Sequence, residues 1–380
     1  MTVAALRSSR RVEKLALLAA VVALVVAGIL GWEAPRDIGP AWRLAVFACL
    51  QPAIGSLIFI LIFRLTAGQW MENLAPFLLA GARLLPWVWL LVLPLLWLPL
   101  AGVPGGEADT TAGLQHAFQA EASRHLDAGL RFYFSKPFLT GRAVFYAAMF
   151  FALAVGAGRG LRRNAPALMP WFGPAGLIVL VFTLHLLATD WFLLLDPGWY
   201  STGFPLVWTA GQAVSGLAGA LLASLWAGGE PGSRGGSGRP RGLDWGNLML
   251  AAVMAWTYVA FVQWLIIWSG NLPAETAWYR HRAHGGWLGV VVVLALLEFA
   301  LPFALLLSRG VKQHRGSLAL AAGLVLAGQF VYTLWMIVPA AAPVSGHAAW
   351  LDAAAVAAVG AFFLNRYLAG ARVAAAQLSP

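Results

Sequence analysis

The chain has 380 residues, of which 61% are hydrophobic and 11% charged, with 19 Trp, 1 Cys and a net charge of +10. A soluble domain carries about 25% charged residues, so this composition excludes a soluble globular protein and leaves an integral membrane one. It also excludes a nucleic-acid binder, which needs a basic face on a soluble surface.

A spanning helix needs roughly 20 apolar residues, and ten runs qualify: 15–32, 41–64, 76–101, 138–158, 172–194, 204–227, 245–269, 286–308, 317–340 and 349–368. A β-barrel would show short alternating segments instead. The predicted fold is an all-α polytopic membrane protein of about ten transmembrane helices. The basic start followed by an apolar run has no small-residue cleavage site, so it reads as a retained first helix.

With ten spans both termini share a side. The segments on that side carry 16 basic residues: Arg7, Arg10, Arg11, Lys14, Arg64, Arg159, Arg162, Arg163, Arg234, Arg239, Arg241, Arg309, Lys312, Arg315, Arg366 and Arg372. The other side carries 8: Arg36, Arg43, Arg124, Arg131, Lys136, Arg142, Arg280 and Arg282. The cytoplasm takes the excess, so both termini are expected inside a bacterial inner membrane, with the basic residues near anionic head groups.

The second span holds Gln51-Pro52 with Ala53, Gly55 and Ser56, residues suited to close helix approach. Cys49, alone in the chain, cannot form an intrachain disulfide or an iron–sulfur ligand set. In the third span Arg83 has two readings: it snorkels to the inner surface, or it is the counter-ion of a buried carboxylate. The loop 102–137 lies outside, with His116 and His125 at no metal-ligand spacing, and suits docking to an extracytoplasmic partner. The Gly/Ser/Pro/Arg segment 228–243 reads as a flexible cytoplasmic linker. It divides the chain into residues 1–227 with six helices and 244–380 with four.

The stretch from His185 to Thr202 organises the polar chemistry. His185 and Asp190 are ionisable groups in a run that otherwise reads as hydrocarbon, where a charge costs at least ~2.5 kcal/mol on insertion scales. The run breaks at Asp196-Pro197-Gly198 into Trp199 and Tyr200, aromatics expected at a membrane surface. Asp190 lies near the outer surface, with His185 about 7.5 Å deeper at 1.5 Å per residue. Glu298 stands near the middle of the eighth span, Asp352 opens the tenth, and Asn247 and Tyr258 share a stripe on the seventh, with Gln263 further out. Two readings follow. Protonatable groups at staggered depths suit a proton relay, for which the candidates are Asp190, His185, Glu298, Arg83, Tyr258 and Asp352. The same groups also suit interhelical pairing worth about 1 kcal/mol each. Asp190 and Glu298 point to function, His185 to neither reading over the other, and Asp352 and the amides to structure.

His185 is the single histidine inside a span, there is no Cys-x-x-Cys-His, and no nucleotide fingerprint or Walker loop occurs. No redox cofactor is therefore expected in this chain. Trp245, Trp256, Trp264, Trp268, Trp278 and Trp287 gather in and beyond the seventh span and read mainly as interface belt and packing.

Residues Leu243–Arg282, LDWGNLMLAAVMAWTYVAFVQWLIIWSGNLPAETAWYRHR, resemble the ActF subunit of alternative complex III, a bacterial quinol:cytochrome c oxidoreductase. So do TDWFLLLDPGWYST (Thr189–Thr202), LPFALLLSRGVK (Leu301–Lys312) and LTAGQW (Leu65–Trp70), in order over most of residues 45–340. The resemblance extends to the NrfD/polysulfide-reductase-like membrane anchors. It implies helices in two four-helix bundles plus two flanking helices, and a structural and proton-conducting subunit without its own redox centre. It implies as partners a paralogous quinol-oxidising membrane subunit and extracytoplasmic multihaem cytochrome and iron–sulfur subunits, which would hold the haem and clusters. Asp190 falls in the matching Asp-Trp motif, and Glu298 lies just before the Leu-Pro-Phe match. Two alternatives stay open: a quinol-binding subunit proper, for which Asp190 with His185 is the candidate pair, and a secondary transporter, which often shows internal repeats and broken helices.

Overall fold

The computed structural model describes residues 3–71, 73–96, 132–133, 135–161, 171–192, 199, 201–234, 238–340 and 346–378. Ten helices there are long and apolar enough to cross a membrane: α1 (Arg10–Glu33), α2 (Ile38–Thr66), α3 (Ala75–Leu95), α4 (Pro137–Gly160), α5 (Phe172–Trp191), α6 (Phe204–Trp226), α7 (Arg241–Gly270), α8 (Trp287–Leu307), α9 (Arg315–Ala340) and α10 (Ala348–Leu378). The described residues contain no β-strand, and the all-α polytopic fold expected from the apolar runs is the one observed. The loop residues 102–131, His116 and His125 among them, and Asp196-Pro197-Gly198 with Tyr200 lie outside the described residues.

Local sequence explains where the helices start. Pro76, Pro86, Pro137, Pro205, Pro273 and Pro302 all sit in the first turn of a helical segment, where a missing N–H costs nothing. Pro86 also divides α3, whose first helical piece ends at Ala82 and whose second begins at Leu85. At the end of α7, Asn271 takes a left-handed conformation (φ 45°) and returns its N–H to Ile267 O.

The helices pack as two groups of four. α2, α3, α4 and α5 close one bundle, and α6, α7, α8 and α9 close the other. The two flanking helices, α1 and α10, pair with each other, and α10 lies against α2 and α3. Asn365 Nδ2 donates to Glu13 O at 2.8 Å, and Arg372 pairs with the Glu13 carboxylate. The sequence division at 228–243 into six helices and four is therefore not the division in packing, which falls between α5 and α6. Nor is the segment free of structure: Arg241 N–H bonds Ser233 O at 2.9 Å and Gly242 N–H bonds Pro231 O at 2.8 Å. Gly242 lies so close to Lys312 O that a Cβ would collide with it. A Gly- and Ser-rich composition marked a surface turn, and the turn is pinned to its neighbour.

The bundles meet where α2 crosses α6. A Cβ on Gly55 would lie 2.6 Å from Gly216 N and would strike Gln212 O, and one on Gly216 would strike the Gly55 backbone. Neither helix tolerates a side chain at this crossing. Small residues supply such contacts in membranes, where lipid removes the hydrophobic drive for helices to associate. At the next residue, Ser56 Oγ donates to Pro52 O at 2.7 Å and fills the space opposite Gly81 of α3. Outward faces of α1, α5, α7 and α8 carry exposed Leu, Val, Ile and Phe, as lipid contact requires.

Gly55→Leu or Gly216→Leu should force the bundles apart and destabilise by more than the ~1–3 kcal/mol typical of core overpacking. Thermal unfolding of the purified protein in mild detergent should show a clear drop for both variants and almost none for Gly28→Leu, whose Cβ meets nothing within 4 Å.

Candidate functional site

Asp190 and Glu298 each lie in a set of polar side chains buried between the spans. The first lies at the membrane face opposite the termini, where α4 begins and α5 ends. Arg142 donates from Nε to Asp190 Oδ2 at 2.8 Å and from Nη2 to Asp190 Oδ1 at 2.9 Å. The Tyr146 hydroxyl donates to Oδ2 at 2.7 Å and the Tyr133 hydroxyl to Oδ1 at 3.0 Å. Arg142 also donates from Nη1 to Tyr133 O at 2.6 Å and lies 3.7 Å from the centre of the Tyr133 ring. Burial, and then the Asp190 carboxylate, push the Tyr133 phenol up to about 12, so it keeps its proton and stays a donor. A bidentate guanidinium and two hydroxyls use the lone pairs of the Asp190 carboxylate. The cluster is a clamp between α4, α5 and the segment before α4.

The second set is at mid-depth. Glu298 lies about 16 Å below Trp287 at 1.5 Å per residue, roughly half of a ~30 Å hydrocarbon core. It stands on a π-helical turn, Ala295–Ala300, after which Leu301 N–H bonds Leu296 O, five residues back. Sequence explains this register. Pro302 has no N–H to give Glu298 O, so the ordinary four-residue bond is missing at this place. The turn sets the Glu298 side chain on Gly328 of α9, where a Cβ would lie 2.8 Å from both Cγ and Cδ of the glutamate. Glu298 has 0% exposure and neither carboxyl oxygen has a hydrogen-bond partner among the described residues. The buried Gln329 carboxamide stands beside it, near enough to interact with the carboxyl as a hydrogen-bonding neighbour although outside strict hydrogen-bond geometry.

From Gln329 a hydrogen-bonded network crosses to the other bundle. Thr333 Oγ1 donates to Gln329 O at 3.0 Å and Gln51 Nε2 donates to the same carbonyl at 3.3 Å. Gln51 Nε2 also donates to Thr333 Oγ1, and Ser215 Oγ donates to Gln51 Oε1 at 2.9 Å. On the other side Tyr332 lies within electrostatic reach of Glu298 and also of Tyr279 and Arg282 nearer the face opposite the termini. An ionised carboxylate without partners is costly in such surroundings. The Glu298 site is complete with a proton on the carboxyl or a water-borne donor at its oxygens, which is the requirement of a group that takes up and passes on a proton.

Sequence-predicted site residues divide sharply. Asp190 and Glu298 are both buried, in separate clusters. His185 is exposed on α5 while Asp190 faces inward, so the acid–histidine pair of the quinol-site reading is not formed. Tyr258, a relay candidate, is 67% exposed on the outer surface of α7 and does not join the buried clusters. Asn247 of the same stripe is exposed as well and accepts from Lys312 Nζ at 2.6 Å. Arg83 donates to Gln377 Oε1 at 2.5 Å near the end of α10, rather than to Asp190 or Glu298. Asp352 is half-buried at the start of α10, within reach of the Asp37 charge and apart from both clusters. Trp199, expected at the membrane surface, is 1% exposed and stacked on Trp278 with ring centres 4.2 Å apart. Arg142, Tyr146, Gln329, Thr333 and Ser215 escaped the sequence reading. Arg142 alone left a signal, a basic residue inside the start of a span at the same depth as Asp190.

Among the described residues no group of three or more His, Cys, Asp or Glu could hold a metal ion. Comparison of the chain with protein-family models and with curated protein sequences returns no match.

Removing one partner of a buried ion pair costs about 3–5 kcal/mol, whereas replacing both with apolar residues is often neutral. Arg142→Met alone should therefore lower thermal stability strongly, and the double variant Arg142→Met/Asp190→Leu should recover most of the loss. Equal melting temperatures for the single variant and the parent would remove the clamp.

Proposed function

We propose that this chain is a proton-conducting membrane subunit of a quinol-oxidising respiratory electron-transfer complex, similar to alternative complex III, with no redox centre of its own. The observation that carries the proton role is Glu298: a carboxyl with 0% exposure, at mid-depth, set on a π-helical turn, whose oxygens have no partner in strict hydrogen-bond geometry among the described residues. π-helical turns inside α-helices occur frequently at functional sites. An intramembrane acid is costly to keep and marks proton pathways.

In this reading one carboxyl oxygen of Glu298 accepts a proton, the carboxylic acid turns within its pocket against Gly328, and the proton leaves to a water-linked neighbour. Gln329 leads toward the Gln51–Ser215–Thr333 network, and Tyr332 leads toward Tyr279. Each hop spans a hydrogen bond or one water. Asp190 serves assembly, because its oxygens are committed to Arg142 and two tyrosines.

The respiratory assignment rests on the resemblance of residues 45–340 to the ActF subunit. In this reading the membrane is a bacterial inner membrane, and the excess of basic residues on the side of the termini supports both termini being cytoplasmic. The chain's partners are a paralogous quinol-oxidising subunit and extracytoplasmic multihaem and iron–sulfur subunits. These carry the electrons while this chain carries protons.

Glu298→Gln keeps size and polarity but cannot ionise. The complex should assemble and oxidise quinol, while proton translocation per electron in proteoliposomes falls toward background. Glu298→Asp should restore part of it. Unchanged proton-to-electron stoichiometry in Glu298→Gln would overturn the proton role. Purification of the chain without haem or iron–sulfur partners would overturn the respiratory assignment independently.

A further inference from the structure

A cavity of about 460 Å³ opens beside α7, in the bundle of α6 to α9. Its inner wall is aromatic: Trp256, Trp278, Tyr332 and Trp335 are all buried. Its mouth lies between α7 and α8, where Phe261, Trp264 and Leu288 are 53%, 41% and 61% exposed on the lipid-facing surface. Ligand pockets typically measure roughly 300–1,000 Å³, so the space suits a sizeable guest. The entrance faces hydrocarbon rather than water, and a guest reaches it from within the bilayer.

The wall also limits what part of the guest can enter. The Arg282 guanidinium lies 3.9 Å from the centre of the Trp278 ring, and its nitrogens donate to Trp335 O, Trp278 O and Met336 O at 3.2–3.4 Å. Gln263 Nε2 is turned to Ser201 Oγ at 3.3 Å. The interior therefore fits hydrocarbon. Polarity resumes at the rim. Helix Pro273–His281 joins α7 to the turn before α8, with Trp278 facing inward and Arg280 and His281 exposed. His284 is exposed in the next turn. A short amphipathic helix of this kind lies in the interface plane with its apolar side down. Its exposed donors sit within a turn of the residues that line the cavity, and over residues 271–286 they face a single acid, Glu275.

We propose that this cavity is a binding site for an anionic phospholipid: one acyl chain lies in the aromatic cavity and the phosphodiester rests against Arg280, His281 and His284. The site is distinct from Glu298 and stands whether or not that residue carries protons. It would also seal the opening between α7 and α8, on the side where Tyr332 approaches Glu298.

The protein purified from membranes in mild detergent is delipidated, supplied with phosphatidylglycerol, phosphatidylcholine or a quinone, and the retained molecules are counted by native mass spectrometry. One phosphatidylglycerol should be held in preference to phosphatidylcholine. Ala295→Trp and Ala260→Phe, each filling the cavity from a position outside the packed core, should lose bound lipid of either type. Arg280→Gln should leave phosphatidylcholine retention unchanged and reduce the preference for phosphatidylglycerol by roughly fivefold, the worth of one basic side chain at an anionic surface. Equal retention of the two phospholipids, undiminished lipid in both cavity-filling variants, or retention of quinone in place of lipid would each overturn the proposal. Monodisperse elution of each variant establishes that it has folded.

Discussion

Everything in the interior of this protein depends on two helices touching without side chains between them. At Gly55 and Gly216 the backbones of α2 and α6 approach so closely that a single added carbon on either meets the other chain. In water such a contact would be a small part of a large hydrophobic gain, but in lipid it is the main currency of helix association, together with the few polar bonds that can be made across it. The crossing holds the two four-helix bundles together and brings Ser215 against Gln51, a bond of 2.9 Å. Gln51 in turn reaches Thr333 and Gln329 O on α9. A steric constraint between glycines thus fixes the register of an amide network, and the network ends beside Glu298.

Two of the buried acids show what surroundings do to one functional group. Asp190 and Glu298 are both nearly inaccessible, 3% and 0% exposed. Asp190 receives a guanidinium and two phenols, so its charge is neutralised locally and its oxygens are committed. Such an arrangement orders three elements. Glu298 receives nothing comparable among the described residues. Gln329 and Tyr332, both neutral, stand within electrostatic reach of it. Burial alone does not separate a structural acid from a working one. The set of donors does.

Much of the architecture was legible because lipid is a demanding solvent. A chain that must satisfy its backbone internally forms helices of fixed minimum length, and the apolar runs located all ten. The ionisable residues within them were conspicuous for the same reason. The direction in which a span faces was not legible. α5 and α7 are apolar on every side, so neither hydropathy nor spacing distinguishes the lipid face bearing His185 and Tyr258 from the inner face bearing Asp190 and Trp256. Arg142 was read as one more charge of the outer side because it lies six residues into a helix that begins at Lys136. Only the pairing with Asp190 shows that it is interior. Gln329 and Thr333 gave no signal above that of ordinary polar residues in a span, since their role lies in bonds to helices distant in the chain.

The π-helical turn ties these levels together. Pro302 removes the N–H that would close an ordinary α-turn at Glu298 O, and the chain responds by bonding five residues back, Leu301 to Leu296. An α-helix places successive residues 100° apart, given 3.6 residues per turn. A single wider turn shifts the face presented by everything before it relative to everything after. Leu306 therefore packs into the core on one side of the turn while Leu288 and Val292 remain on the lipid side before it. Glu298, on the turn itself, meets Gly328 of α9, where a Cβ would collide with the glutamate side chain. Replacing that glycine would displace the carboxyl, and a donor in place of Pro302 would allow the α register to return. The acid, the proline four residues later and the facing glycine form a single device, in which a local backbone defect creates an interior position for a group that lipid would otherwise exclude.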